Sequence, residues 1–190
     1  MDFSSVIAQA TEYALKEIAL YGSPKIEHFF LSNEKGQELA ERLDADKDIV
    51  MLWTILMDLK IGQCIKEGKV AEHVQRSSEA AQEFLQPFDI DKDTFDKVIS
   101  CVESHHGVNN YFCKEAEICA NADCYRFLHP RWMFAATILF GWRNADVNEV
   151  VTLLEGKIEE KHNILSLDIC KQELEWYYQE FKELIQKAKK

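Results

Sequence analysis

Positive charge is scarce in this chain. Its 190 residues carry 22 lysines and arginines against 33 aspartates and glutamates, for a net charge of −11. That balance leaves no basic footprint for non-specific binding to nucleic acid or to an anionic membrane surface. It does not exclude a small phosphorylated molecule held by a few local cations. Long apolar runs are missing too. The longest, Ile49 to Met57 (broken by Thr54) and Trp132 to Trp142, are too short to span a bilayer. The first ten residues, MDFSSVIAQA, show neither a basic start nor a continuous apolar segment, so no signal peptide is expected. A soluble, cytoplasmic chain is the expectation. The six cysteines form no C-x-x-C pair, which argues against a zinc knot or redox centre and for free thiols packed in a reduced interior. Strand alternation, internal repeats and low-complexity tracts are absent as well.

What is present is helical periodicity. With 47% hydrophobic residues the chain is globular and long enough for one domain with a sizeable core. From Asp2 to Leu20 the apolar residues Phe3, Val6, Ile7, Ala10, Ala14 and Ile18 share one helical face. Gly22-Ser23-Pro24 breaks that helix. A second helix is predicted from about Lys25 or Ser32 to Leu43, and a third from Lys47 to about Lys60. The third is apolar nearly all round, as a central buried helix would be. Residues 61 to 70, with two glycines, read as a loop. Helices follow over about 72–86, 91–105, 114–128, a short aromatic segment from Arg131, 147–161 and 166–189. The fold class is all-α, a single domain with a helical core over about 24–130 and a C-terminal helical extension over about 131–190.

Set on this framework are residues that bind metals. His28, Asp58, His73, the adjacent His105 and His106, and Asp123 each lie on a predicted helix or at its end. Imidazole and carboxylate hold divalent ions. Singly, the histidines have ordinary explanations; His105-His106 before Gly107, for instance, reads as a helix C-terminus where an imidazolium suits the dipole. Asp58 is harder to explain so, because it directly follows a buried apolar run and a buried carboxylate is costly unless paired or bound.

The windows KIEHFFLSNEKGQELAERLDAD, IVMLWTILMDLKIG, AEHVQRSSEAAQEFL, VISCVESHHG and EAEICANADCYRF, in this order, resemble the HD superfamily of metal-dependent phosphohydrolases. The resemblance covers about residues 24 to 130. It implies an HD-domain-like helical bundle and a site for one or two divalent ions (Mn, Mg, Co, Ni, Zn or Fe) on His28, Asp58, His73, His105, His106 and Asp123. One position departs: where the family has a His-Asp doublet, this chain reads Met57-Asp58. A thioether is a soft ligand that hard ions ignore, so a first site would keep His28, Asp58 and Asp123. Asp58 would bridge to a second, with His73 and either His105 or His106. Lys60, Arg76 and Arg126 each follow a proposed ligand by two or three residues, and with Asp58 they form the candidate catalytic group, as cations for a phosphoryl oxygen.

The resemblance implies hydrolysis of a small phosphorylated metabolite or nucleotide by metal-activated water. The alternative is a degenerate scaffold that binds a ligand or partner protein, for which Met57 is the main argument. A di-iron oxygenase is a third reading, and Met57 weighs against it most. Whether the C-terminal helices make a homodimer stays open in the sequence.

Overall fold

The computed structural model describes residues 3–143 and 146–189. Among the described residues there are ten α-helices and no strand. They are α1 Ser4–Tyr21, α2 Ile26–Arg42, α3 Lys47–Leu56, α4 Ile61–Lys66, α5 His73–Leu85, α6 Lys92–Ser104, α7 Lys114–Leu128, α8 Pro130–Arg143, α9 Val147–Ile164 and α10 Asp168–Ala188. Among the described residues no helix is long and apolar enough to cross a membrane. The chain divides into two compact units, 1–120 and 121–190. The division falls inside α7.

In the first unit α3 is the central element, packed against α1, α2, α5 and α6. Asp46 starts it by accepting the amide N–H groups of Asp48 and Ile49, which have no partner within the helix. From Ile49 to Leu56 all residues but Met51 are buried. Gly36 of α2 lets the two helices approach, since a Cβ there would sit 2.9 Å from Val50 Cγ1. The α1 helix buries Val6, Ala10 and Ala14 along one stripe and stops at Gly22, whose φ of 70° suits a glycine.

Two local expectations need correction. The third helix ends at Leu56 and not near Lys60; residues 57–60 form a turn. The segment after it, expected as a loop, opens with α4, followed by a short 3-10 turn, Val70–Glu72. The reason is Gly62. It sits inside α4 because a Cβ there would come within 2.5 Å of Tyr21 Cβ and 2.6 Å of the Ser23 carbonyl. This glycine serves a close approach of backbones. Gly68, at φ +71°, serves the turn that the sequence suggests.

In the second unit α9 packs against both α8 and α10. Asp146 caps α9 through the N–H groups of Asn148 and Glu149. Asn121 on α7 fixes the α9–α10 turn: its Oδ1 accepts from the amides of Ser166 and Leu167, and its Nδ2 donates to Ser166 Oγ at 2.8 Å. From Ile118 to Leu128 every residue of α7 is buried. All six cysteines are free thiols and all but Cys113 are buried. Burial pushes the Cys124 thiol up, so it stays protonated and unreactive.

Candidate metal centre

The first unit brings four of the six proposed ligands together. His73 is the first residue of α5, while His105 and His106 follow directly on α6. Ser78 Oγ on α5 donates to Glu103 Oε1 on α6 at 2.7 Å, which ties the two helices at the same end. The ligand atoms of His73, His105 and His106 all lie within 4.8 Å of one another. His73 Nε2 is 3.1 Å from His106 Nε2. Asp58, in the turn after α3, places Oδ1 3.8 Å from His73 Nε2 and 3.9 Å from His105 Nε2. The turn is itself held: the Lys60 amide donates to Ser77 Oγ of α5 at 3.1 Å. The sequence could not say which of His105 and His106 faces inward. Both belong to the cluster, His105 fully buried and His106 partly so.

Two backbone carbonyls set the ring chemistry. His73 Nδ1 lies 2.7 Å from Val70 O, and His105 Nδ1 lies 2.6 Å from Val102 O. A carbonyl oxygen only accepts, so each Nδ1 donates, and in the neutral ring the lone pair falls on Nε2. Those Nε2 atoms are the ones turned toward Asp58 and His106. A metal-binding imidazole is oriented in this way, by a second hydrogen bond through its other nitrogen. The donor set, three imidazoles and one carboxylate, fits a borderline transition ion such as Zn, Mn, Fe, Co or Ni better than Mg.

His28 too stands by Asp58. Both line a pocket of about 10 Å³ together with Glu17, Thr54 and Met57, room for roughly one water. The Met57 side chain, 2% exposed, is part of that wall. Glu17 was not singled out in the sequence. It belongs to α1, three residues beyond Ala14 on the buried stripe, and its position there was the available signal.

Asp123 is placed in the second unit, on α7. It is fully buried, and its two oxygens meet two cations: Oδ1 accepts from Arg126 Nη1 at 2.8 Å and Oδ2 pairs with Lys161 Nζ at 2.7 Å. Lys161, 1% exposed, also stands 3.4 Å from Glu160 Oε1. Burial opposes its charge, yet its neighbours, Asp123 foremost, hold its pKa above the usual lysine value. Lys161 too was missed, although it continues the buried stripe of α9, Val150, Leu154 and Ile158. A lysine in register with an apolar stripe marks a buried charge that must have a partner.

The three candidate cations are each paired with acidic groups. Lys60 Nζ is 3.1 Å from Glu17 Oε1 and 5.1 Å from the Tyr13 ring centroid. Arg76 is held by Glu67 at 2.6 Å and by Glu72 at 2.5 Å. Arg126 is held by Asp123. His162 stacks on Tyr178 and contacts Glu175 at 2.9 Å.

These helices and their order define an all-α fold of the HD-domain kind. It matches the solved structure of a protein described as a predicted HD superfamily hydrolase from an uncultured Thermotogales bacterium, with a TM-score of 0.67 over 98% of this chain and 97% of that one. The two sequences are 16% identical, so the likeness is one of fold. No family model matches the chain, and no curated protein matches it in sequence.

Proposed function

We propose that this chain is an atypical HD-superfamily phosphohydrolase, which cleaves a small phosphorylated metabolite or nucleotide with the help of a divalent ion on His73, His105, His106 and Asp58. The observation that carries the reading is a cluster of three imidazoles, two of them within 3.9 Å of one buried carboxylate, within the fold of an HD hydrolase. A bound divalent ion supplies Lewis acidity, bringing the pKa of water toward neutrality and offsetting charge on a phosphoryl oxygen. The residues do the rest. The Val70 and Val102 carbonyls hold the rings of His73 and His105 in the donor tautomer. The Asp58 carboxylate offsets the positive charge brought among three neutral imidazoles, and Ser77 holds the turn that carries it. Lys60 and Arg76 would reach a phosphoryl group only by exchanging a carboxylate partner for it.

A second reading, a degenerate scaffold that binds a ligand or partner protein, draws on Met57 and on the pairing of Asp123 with Lys161 and Arg126. The two separate in one series of measurements. Protein purified without chelator or metal-affinity resin is analysed for metal, then assayed for phosphate release from nucleoside monophosphates and p-nitrophenyl phosphate with Mn, Co or Ni. The hydrolase reading expects bound metal and metal-dependent release, both lost in Asp58→Ala. Release that persists unchanged in Asp58→Ala would sink this mechanism. A folded protein that takes up no metal and releases no phosphate would favour the scaffold.

A further inference from the structure

We infer that Asp123 is the counter-ion of Lys161 and Arg126 and not a metal ligand, so the chain's own cations occupy a carboxylate that the family resemblance assigns to a metal. The stoichiometric consequence, one ion on the histidine cluster instead of two, rests on the reading proposed above; the pairing itself does not.

The argument begins with burial. Asp123 is 0% and Lys161 1% exposed, and neither charge could be stable there alone. Both Asp123 oxygens are taken, one by a guanidinium at 2.8 Å and one by an ammonium at 2.7 Å. A divalent ion coordinates a carboxylate oxygen at about 2 Å. On either oxygen it would stand within a few ångströms of a fixed positive charge, with two cations already sharing one carboxylate. A protonated lysine has no lone pair to offer a metal, so Lys161 excludes the ion and does not help to hold it. Nor is the lysine there by accident of a flexible surface. It lies in register with Val150, Leu154 and Ile158 on the buried face of α9, and Asn121 on α7 anchors the turn at the end of that helix. Within the first unit, the histidine cluster and Asp58 already offer four donors.

The test uses the full chain with Asp123→Asn, Lys161→Met and the double substitution, followed by urea unfolding and by elemental analysis. In Asp123→Asn the amide Nδ2 would face the Lys161 ammonium, donor against donor; in Lys161→Met the carboxylate loses its ammonium. Asp123→Asn, which leaves two buried cations, is therefore expected to unfold at clearly lower urea. Lys161→Met, which keeps Arg126 on the carboxylate, loses less. The double, in which Arg126 alone loses its carboxylate, is expected to be more stable than Asp123→Asn. Should a single variant fail to fold, the double is expected to fold. Additive effects, or a double no more stable than the weaker single, overturn the assignment whether or not metal is bound. Metal content is expected at one equivalent in the wild type and unchanged in folded Asp123→Asn. Two equivalents in the wild type, or an equivalent lost in Asp123→Asn with the far-UV circular dichroism intact, also overturn it. A metal-free wild type whose double variant still recovers supports the counter-ion assignment and sinks the hydrolase reading instead.

Discussion

Asp58 and Asp123 are both carboxylates with almost no contact with water, yet the two units surround them with opposite kinds of group. Around Asp58 stand imidazoles, two of them with the Nε2 lone pair turned inward by a backbone carbonyl. Around Asp123 stand an ammonium and a guanidinium, which carry their own charge at any physiological pH. On the reading proposed above, a cation from outside completes the first surrounding, whereas the second holds two cations of its own. Burial of an acid therefore does not by itself mark a ligand. What distinguishes the two cases is whether the neighbours bring lone pairs or protons.

The comparison can be broken most sharply at the histidines. His106→Ala removes a donor from the cluster at its least buried member, so folding should be spared while metal affinity falls at least ~100-fold, because even outer partners of metal ligands are worth 10- to 100-fold. Equilibrium dialysis against Ni or Mn checks this, and unaltered uptake would mean that the three rings are a packing cluster. A smaller effect is expected from Ser77→Ala. Losing the hydroxyl that accepts the Lys60 amide should cost about 1 kcal/mol of stability and loosen Asp58, lowering metal affinity without abolishing it. Urea midpoints alongside metal titration would separate the two effects.

The smallest effect concerns a surface ion pair, the counterpart of the buried one. Glu38 is held below its usual pKa of 4.5 by its hydrogen bond to Lys35, then by Arg42. A depressed carboxylate stabilises the fold above its unfolded pKa, and that contribution is lost as pH falls through the lower folded value. With Glu38 itself half-exposed, the pair should be worth less than about 1 kcal/mol. Thermal melts of wild type and Glu38→Gln should therefore converge as pH falls from about 5 to about 3, with wild type the more stable at the upper end. Divergence in acid would contradict the pairing.

Much of this was legible in the sequence, because much of it is local. The nearly unbroken apolar run of α3 announced a central buried helix, and the resemblance to the HD superfamily implied that the histidines share a site. Asp58 stood out because it ends a run of residues that avoid water. The errors came from reading residue types without their distant neighbours. Gly62 looked like a breaker, and only the approach of Tyr21 and Ser23 shows it as a spacer inside α4. For Asp123 the resemblance implied a metal, and its ion-pair partner Lys161, in another helix, went unread. Even so, Lys161 on the stripe of α9 and Glu17 on the stripe of α1 were visible as charges in apolar register. A charged residue on the buried side of an amphipathic helix is the trace that a single sequence leaves of a contact made far along the chain.

The burial of Lys161 has a consequence for the covalent chemistry of the native protein. Acylating reagents attack the free amine, and an ammonium locked against Asp123 and shielded from water offers them neither the lone pair nor a path. Surface lysines such as Lys92, whose side chain is 86% exposed, should label at once. Lys161 should label only when α9 comes away from α7, so its modification would time the opening of the second unit, one residue reporting on one unit.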